Sequence, residues 1–196
     1  MVGPKEFPPL RVRALAAEVV ALLKLRKETV SVAETAAGGI ISASLLAQPG
    51  ASKVFKGGLT LYTLESRVAF AGWTQADIDA YRGPTPQVVQ GLAENVRARL
   101  GSTYTVCESG TAGPTGGNTP NRTPGYVALA VASAATTDPS GGEAVVDTKE
   151  ISNTGNGTDR EANMISFAEE ALRFLLQVIT GVGSAPVPAG SGGSAL

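Results

Sequence analysis

The segment from residue 29 to residue 50 predicts a strand, a glycine turn and a helix in direct succession. Residues 29–33 (TVSVA) are mostly β-branched, which is typical of a buried strand. Residues 34–39 (ETAAGG) end in two glycines, and the apolar run that follows is closed by Pro-Gly. A strand that passes directly into a helix is typical of sheets covered by helices, so the pattern favours an α/β fold.

Further elements of both kinds follow along the chain. Helices are predicted at residues 10–28, 40–47, 65–70, 74–81, 86–100 and 158–179, and strands at residues 59–63, 103–108, 126–134 and 144–151. Thr74, Thr85 and the capping-box pattern of residues 158–161 mark helix starts, and Gly181 marks the end of the last helix. The last two strands predict a hairpin through a turn at 138–142. The expected fold is therefore a three-layer αβα sandwich with a mixed sheet.

The length and apolar content are those of one domain with short tails. The chain has 196 residues, of which 43% are hydrophobic, and this is enough to bury a sizeable core. We expect a flexible segment at residues 1–9, a domain at residues 10–180 and a flexible Gly/Ser/Pro-rich tail at residues 181–196. Residues 1–9 do not resemble a secretory signal, and no apolar run approaches 18 residues. We therefore expect a cytoplasmic protein with no membrane span.

The composition excludes several classes of chemistry. The chain has no histidine, which excludes Ser-His-Asp and Cys-His mechanisms. Cys107 is its only cysteine, so an intrachain disulfide and a cysteine-based zinc site are also excluded, and its place in a strand pattern predicts a small core residue. We predict no metal site and no cofactor. The net charge of −1 shows no basic excess, so nucleic acid is not an expected partner.

The first candidate loop lies between the strand at 29–33 and the helix after it. Ligands of open α/β sheets bind beyond the carboxyl ends of strands, and a helix start offers free N–H groups to an anion or a developing oxyanion. Thr35 supplies a hydroxyl there, and Gly38 and Gly39 allow close approach. The alternative is that Thr35 caps the helix and that the glycines only permit packing.

Two later loops and one arginine are further candidates. Lys56 or Tyr62 could activate a hydroxyl, the alternatives being a solvated lysine and a core tyrosine. The amides of the glycine-rich segment 109–117 could hold a phosphate or a sugar, the alternative being a long structural loop. Arg160 opposes the dipole of its predicted helix, which indicates either an anion contact or a solvated side chain.

Four blocks of this sequence match, in order, the motifs of one family. Residues 33–39 (AETAAGG) are similar to AESCTGG, and residues 49–62 carry counterparts of PGSS and FxGGxxxY. Residues 109–117 (SGTAGPTGG) are similar to [S/T]GIAGPxGG, and residues 158–160 (TDR) to GDR. From about residue 10 to residue 179 the chain therefore resembles the CinA C-terminal domain family, whose characterised members are nicotinamide mononucleotide deamidases.

This resemblance implies an αβα fold and an amidohydrolase that converts nicotinamide mononucleotide into nicotinate mononucleotide and ammonia. Thr35 aligns with the family's nucleophilic serine, Tyr62 with its assisting tyrosine and Arg67 with a lysine of many members. We predict catalysis by Thr35 with Tyr62 and Lys56, and a homodimer. The predicted substrate-binding residues are Glu34, Gly38, Gly39, Gly58, Ser109, Gly110, Thr111, Gly113 and Arg160.

The departures from the family pattern keep other functions open. Threonine replaces serine, Ala36 and Ala37 replace a Cys-Thr pair, and the guanidinium of Arg67 cannot act as a base. The alternative to the deamidase is a catalytically silent protein that binds a nucleotide or a related metabolite. A purely structural or interaction protein is the third possibility.

Overall fold

The computed structural model describes residues 7–134 and 144–181. The hairpin turn predicted at 138–142 lies outside this part of the chain. So do residues 1–6 of the predicted N-terminal segment and residues 182–196 of the predicted tail. None of the helices within the described ranges is long and apolar enough to cross a membrane.

A mixed five-stranded sheet forms the middle layer of the described residues. In chain order its strands are β1 (Val30–Glu34), β2 (Phe55–Thr60), β3 (Tyr104–Gly110), β4 (Val127–Ser133) and β5 (Val145–Ile151). Their order in space is β2-β1-β3-β4-β5. The pairs of β1 with β2 and β3 are parallel, whereas β4 is antiparallel to both β3 and β5. The prediction of a mixed sheet is confirmed.

Helices cover both faces of this sheet. They are α1 (Leu10–Arg26), α2 (Ile40–Leu46), α3 (Leu64–Ala71), α4 (Gln75–Ala80), α5 (Pro86–Leu100) and α6 (Arg160–Thr180). One core packs α1, α2 and α6 on larger strand residues such as Val32, Val106 and Leu129. The other packs α5 on small residues such as Ala33 and Ala130, together with Cys107. The αβα sandwich is thus confirmed.

The helix starts follow from local capping, with one correction. Thr85 caps α5, with Pro86 in its first turn, and Thr74 forms a capping box with Asp77 at α4. The last helix was predicted to start at the capping-box pattern of residues 158–161. Its cap is instead Asp159, whose carboxylate accepts a hydrogen bond from the N–H of Ala162. An aspartate is as good a cap as a threonine, so the pattern alone left the start uncertain by one residue.

The prediction of the strand at residues 59–63 was wrong in its boundaries. The observed β2, Phe55–Thr60, includes two glycines that precede the predicted strand. A Cβ atom at Gly58 would lie 2.0 Å from Ser42 Oγ on α2. Gly58 therefore lies inside the strand because α2 packs too closely for a side chain there.

Replacing Gly58 by alanine is expected to destabilise the fold, because the added methyl group must displace Ser42. We expect the free energy of unfolding in urea to fall by about 1–3 kcal/mol. Gly91→Ala is the matched control, since a Cβ at this position of α5 meets no atom within 4 Å. That change should stabilise the protein by about 0.5–1 kcal/mol. Equal effects of the two substitutions would contradict the close packing at Gly58.

Candidate active site

Two buried glutamates lie side by side at the carboxyl ends of neighbouring parallel strands. Glu34 and Glu108 are register partners on β1 and β3, and both are fully buried. Glu34 Oε2 accepts a hydrogen bond from the Ile41 N–H at 3.1 Å. Its Oε1 accepts from the N–H and the hydroxyl of Ser42, at 3.1 and 2.5 Å. Glu34 thus satisfies the free N–H groups at the start of α2.

Glu108 holds the turn between β1 and α2. Its Oε2 accepts hydrogen bonds from the N–H groups of Thr35, at 3.1 Å, and Ala37, at 2.8 Å. Its Oε1 has no hydrogen-bond partner among the described residues. The pKa of this carboxyl is raised to about 7. Burial is the main cause and the charge of Glu34 adds to it, while the two N–H donors and Arg67 act in the opposite direction.

These contacts exclude the interpretation of Thr35 as the cap of α2. The N-cap of α2 is Gly39, and the first N–H groups of this helix donate hydrogen bonds to Glu34. Thr35 therefore does not cap the helix. Thr35 is only 3% exposed, and its Oγ1 donates a hydrogen bond to Ser109 Oγ at 3.1 Å. The hydroxyl of Thr35 is therefore directed at the end of β3.

A cleft with two adjoining halves opens beside this hydroxyl pair. The inner half, about 310 Å³, is lined by Thr35, Ala36, Tyr62, Thr63, Leu64, Arg67, Tyr81, Ser109 and Gly110. The outer half, about 350 Å³, shares Ala36, Tyr62, Tyr81 and Gly110 with it. Its remaining lining residues are Gly83, Pro84, Thr111, Ala112, Gly113, Thr115, Gly116, Arg122 and Arg160. Within the described part of the chain, no acidic side chain lines either half, and the outer half carries two guanidinium groups.

Arg160 joins the glycine-rich loop to Tyr62 in the outer half. Its Nη1 donates a hydrogen bond to the Gly113 carbonyl at 2.6 Å, and its Nη2 donates to the Tyr62 hydroxyl at 3.1 Å. Tyr62 is 58% exposed, so it is not a core tyrosine. Arg160 is an exposed side chain, but it is fixed by these two contacts and faces the cleft.

Asn163, one turn further along α6, connects two loops to the start of this helix. This residue is fully buried, and its Nδ2 donates hydrogen bonds to the carbonyls of Ala112, at 2.9 Å, and Gly157, at 3.0 Å. Its Oδ1 accepts from the hydroxyl of Thr154. One side chain therefore ties the glycine-rich loop and the loop before α6 to the start of that helix.

Arg67 is held in the wall of the inner half. It is 3% exposed, and its Nε donates a hydrogen bond to the Leu61 carbonyl at 3.2 Å. Its Cζ lies 4.8 Å from the centre of the Trp73 ring and 4.9 Å from that of Tyr81. The two aromatic rings thus fix the guanidinium by cation–π contact.

Several predicted site residues do not line the cleft. Lys56 is exposed on β2, four residues before Thr60, which is roughly 13 Å along a strand that rises about 3.3 Å per residue. The cleft lies at the other end of the sheet, so we assign no catalytic part to Lys56. Gly58 packs against Ser42, and the carboxylate of Glu34 accepts hydrogen bonds from backbone amides of α2. Neither residue lines either half of the cleft.

The two glycines of the turn, which were predicted to bind substrate, also lie outside the cleft lining. Neither Gly38 nor Gly39 lines either half of the cleft, and both have a positive φ, +69° and +102°, which lets the turn enter α2. The N–H of Ala36 is the better donor for an oxyanion. It donates to no acceptor among the described residues, and Ala36 lines both halves of the cleft.

The cleft brings together the other predicted residues: Thr35, Tyr62, Ser109, Gly110, Thr111, Gly113 and Arg160. Sequence analysis missed Glu108, Tyr81 and Arg122. A charged residue at the end of an otherwise apolar strand was the available signal for Glu108, because buried carboxylates are rare without partners. No comparable signal distinguished Tyr81 or Arg122.

Comparison with known proteins finds a matching family and relatives similar in sequence. Residues 12–179 match the model of the CinA C-terminal domain. A CinA-like protein of Chlorobaculum tepidum is 36% identical over 81% of the chain, and one of Parasynechococcus marenigrum is 34% identical over 83%. The chain spans only 36% and 37% of the lengths of these two relatives.

Solved structures share the fold. The competence/damage inducible protein CihA of Agrobacterium tumefaciens superposes with a TM-score of 0.76 at 23% identity, covering 90% of this chain and 99% of that one. A competence or damage-inducible protein of Enterobacter asburiae gives 0.73 at 21% identity, with 86% and 98% covered.

The raised pKa of Glu108 predicts a pH-dependent stability. The folded protein holds a proton that the unfolded chain releases above its ordinary pKa of 4.5, so stability is lost as the pH rises from 4.5 to about 7. Glu108→Gln keeps an acceptor for the two N–H groups but carries no charge. Its advantage in unfolding free energy over the unsubstituted protein should grow by about 3 kcal/mol between pH 5 and pH 8.

Urea unfolding at several pH values measures this difference. Glu18→Gln on the exposed side of α1 is the control, and its difference from the unsubstituted protein should stay constant over the same range. Parallel pH profiles for Glu108→Gln and the unsubstituted protein would contradict the assignment.

Proposed function

The chain belongs to the CinA C-terminal domain family, and we propose that it hydrolyses the carboxamide of nicotinamide mononucleotide. The observation that carries this proposal is the placement of Thr35. Its hydroxyl lies at the carboxyl end of β1 and is hydrogen-bonded to Ser109. It faces a cleft whose outer half carries Arg122 and Arg160. A phosphate in the outer half and a pyridine carboxamide in the inner half fit this distribution of groups.

The proposed reaction runs through a threonyl ester. Thr35 Oγ1 bonds to the carboxamide carbon, its proton leaves along the hydrogen bond to Ser109 and reaches the amide nitrogen, and the C–N bond breaks to release ammonia. Water then adds to the ester carbon and the bond to Thr35 Oγ1 breaks. One proton of the water goes to Oγ1, the other is released to solvent, and the carboxylate remains. The Ala36 N–H and the Tyr62 hydroxyl are the donors next to the developing oxyanion.

Binding without turnover is the second candidate function, and two observations favour it. Thr35 is nearly buried, and its β-methyl group crowds the approach to the hydroxyl. Arg67 stays protonated at every physiological pH and cannot accept the proton of Thr35. The same cleft would then bind a mononucleotide and release it unchanged.

A direct assay separates the two functions. We expect the purified chain to release ammonia and nicotinate mononucleotide from nicotinamide mononucleotide, and Thr35→Ala to lose at least about a hundredfold in rate because the nucleophile is gone. Thr35→Ser, which removes only the crowding methyl group, should be faster than the unsubstituted protein. Thr148→Ala on the exposed side of β5 is the matched control and should retain full activity.

The outcomes differ clearly. Product that persists in Thr35→Ala at the control's rate would refute the threonine mechanism. Activity confined to Thr35→Ser would show an intact site that lacks its nucleophile, which is the second candidate function.

Replacing Arg160 by methionine tests the outer half. Loss of a charge-assisted contact to phosphate should raise the KM for nicotinamide mononucleotide about tenfold or more. Arg99→Met, on the exposed side of α5, is the control. An unchanged KM in Arg160→Met would exclude a phosphate contact by this residue. If the chain proves catalytically silent, the dissociation constant replaces KM as the measured quantity.

A further inference from the structure

Arg67 is a buried cation that forms no ion pair within the described residues. The residue is 3% exposed, and no carboxylate in that part of the chain lies within 4.0 Å of its guanidinium, although its charge lowers the pKa of the Glu108 carboxyl. Its Nη1 is buried and has no hydrogen-bond partner in that part of the chain. Buried charges are ordinarily paired, because the loss of hydration is otherwise uncompensated.

The protein supplies only part of the missing compensation. One carbonyl, that of Leu61, accepts a hydrogen bond from Nε, and the rings of Trp73 and Tyr81 contact the guanidinium. These groups fix the guanidinium but leave donors unused in a residue that lines the inner half of the cleft. Glu34 and Glu108 line neither half. Both oxygens of Glu34 and Oε2 of Glu108 accept hydrogen bonds from α2 and the turn, and Glu108 Oε1 has no hydrogen-bond partner among the described residues.

A guanidinium in this setting binds a carboxylate better than a carboxamide. Its planar N–H fork binds a carboxylate through two parallel hydrogen bonds, and both bonds gain from opposite charges. A neutral carboxamide offers one acceptor oxygen and an NH₂ group whose hydrogens oppose those of arginine. The inner half also holds the hydroxyls of Thr35 and Ser109, which can donate to a carboxylate.

We propose that Arg67 makes the inner half a carboxylate subsite, so that the cleft binds a mononucleotide with a carboxylate on its aromatic base more tightly than the matching carboxamide. The inference rests on the proposed placement of a mononucleotide across the two halves. It makes the cleft selective for a ligand that is anionic at both ends, with Arg160 and Arg122 at the phosphate and Arg67 at the base. In a deamidase this preference would retain the product, and in a silent protein it would define the ligand.

Calorimetry with two ligands that differ only in this group tests the proposal. The whole chain is titrated with nicotinate mononucleotide and with nicotinamide mononucleotide, and both titrations are repeated in Thr35→Ala so that turnover cannot consume the amide. We expect the carboxylate form to bind at least about tenfold more tightly. Equal binding, or tighter binding of the amide, would overturn the proposal without any substitution at Arg67.

Variants then assign the preference to one side chain. Arg67→Met should reduce the preference to within about twofold, and Arg67→Lys should retain part of it, since charge remains but the planar fork is lost. Arg160→Met should weaken both ligands by the same factor, because both carry the phosphate. Circular dichroism and thermal unfolding establish that each variant is folded, and a tenfold preference that survives in folded Arg67→Met would also overturn the proposal.

The two levels of inference fail in different ways. Absence of binding for both mononucleotides refutes the placement itself and with it the proposed function. Turnover of the amide without a preference for the carboxylate refutes only the carboxylate subsite. A carboxylate preference without turnover supports the subsite and refutes the amidase activity.

Discussion

The cleft depends on two carboxylates buried at the ends of adjacent strands. Burial of two neighbouring negative charges is unfavourable, and here backbone N–H groups offset it on both sides. Glu34 receives the first amides of α2, a helix whose N-cap glycine provides no side-chain acceptor, and Glu108 receives the amides of the preceding turn. The sheet thus supplies the acceptors that the turn and the helix lack, and it fixes Thr35 as a result.

The rest of the cleft is assembled around that fixed turn from segments distant in sequence. Asn163 brings the glycine-rich loop against the start of α6, and Arg160 connects the same loop to Tyr62. On the inner side, Trp73 and Tyr81 hold Arg67. Among the described residues, the resulting cavity is lined by arginines, hydroxyls and backbone groups and by no acidic side chain, although Glu34 and Glu108 are buried on β1 and β3.

The sequence predicted the elements whose signals are local. Capping residues such as Thr74 and Thr85 placed helix starts, and β-branched runs placed β1 and β3. The boundaries of β2 and the reason for Gly58 depend on Ser42 packing across from another element, and no local pattern contains that distance. Local sequence also could not place Lys56. It is near Tyr62 in sequence, but it lies at the start of β2, whereas Tyr62 follows the end of that strand. Motif order identified most of the cleft, whereas the supporting role of Glu108 depends on pairing between strands.

The stacking of Arg67 has an optical consequence. Trp73 is the only tryptophan of the chain, and it lies in contact with the guanidinium and edge-on to Tyr81. All indole fluorescence of the molecule therefore originates beside the inner half of the cleft. Any event that moves or neutralises that cation changes the electric field at the single emitting ring, so the protein carries an intrinsic fluorophore at this position without labelling.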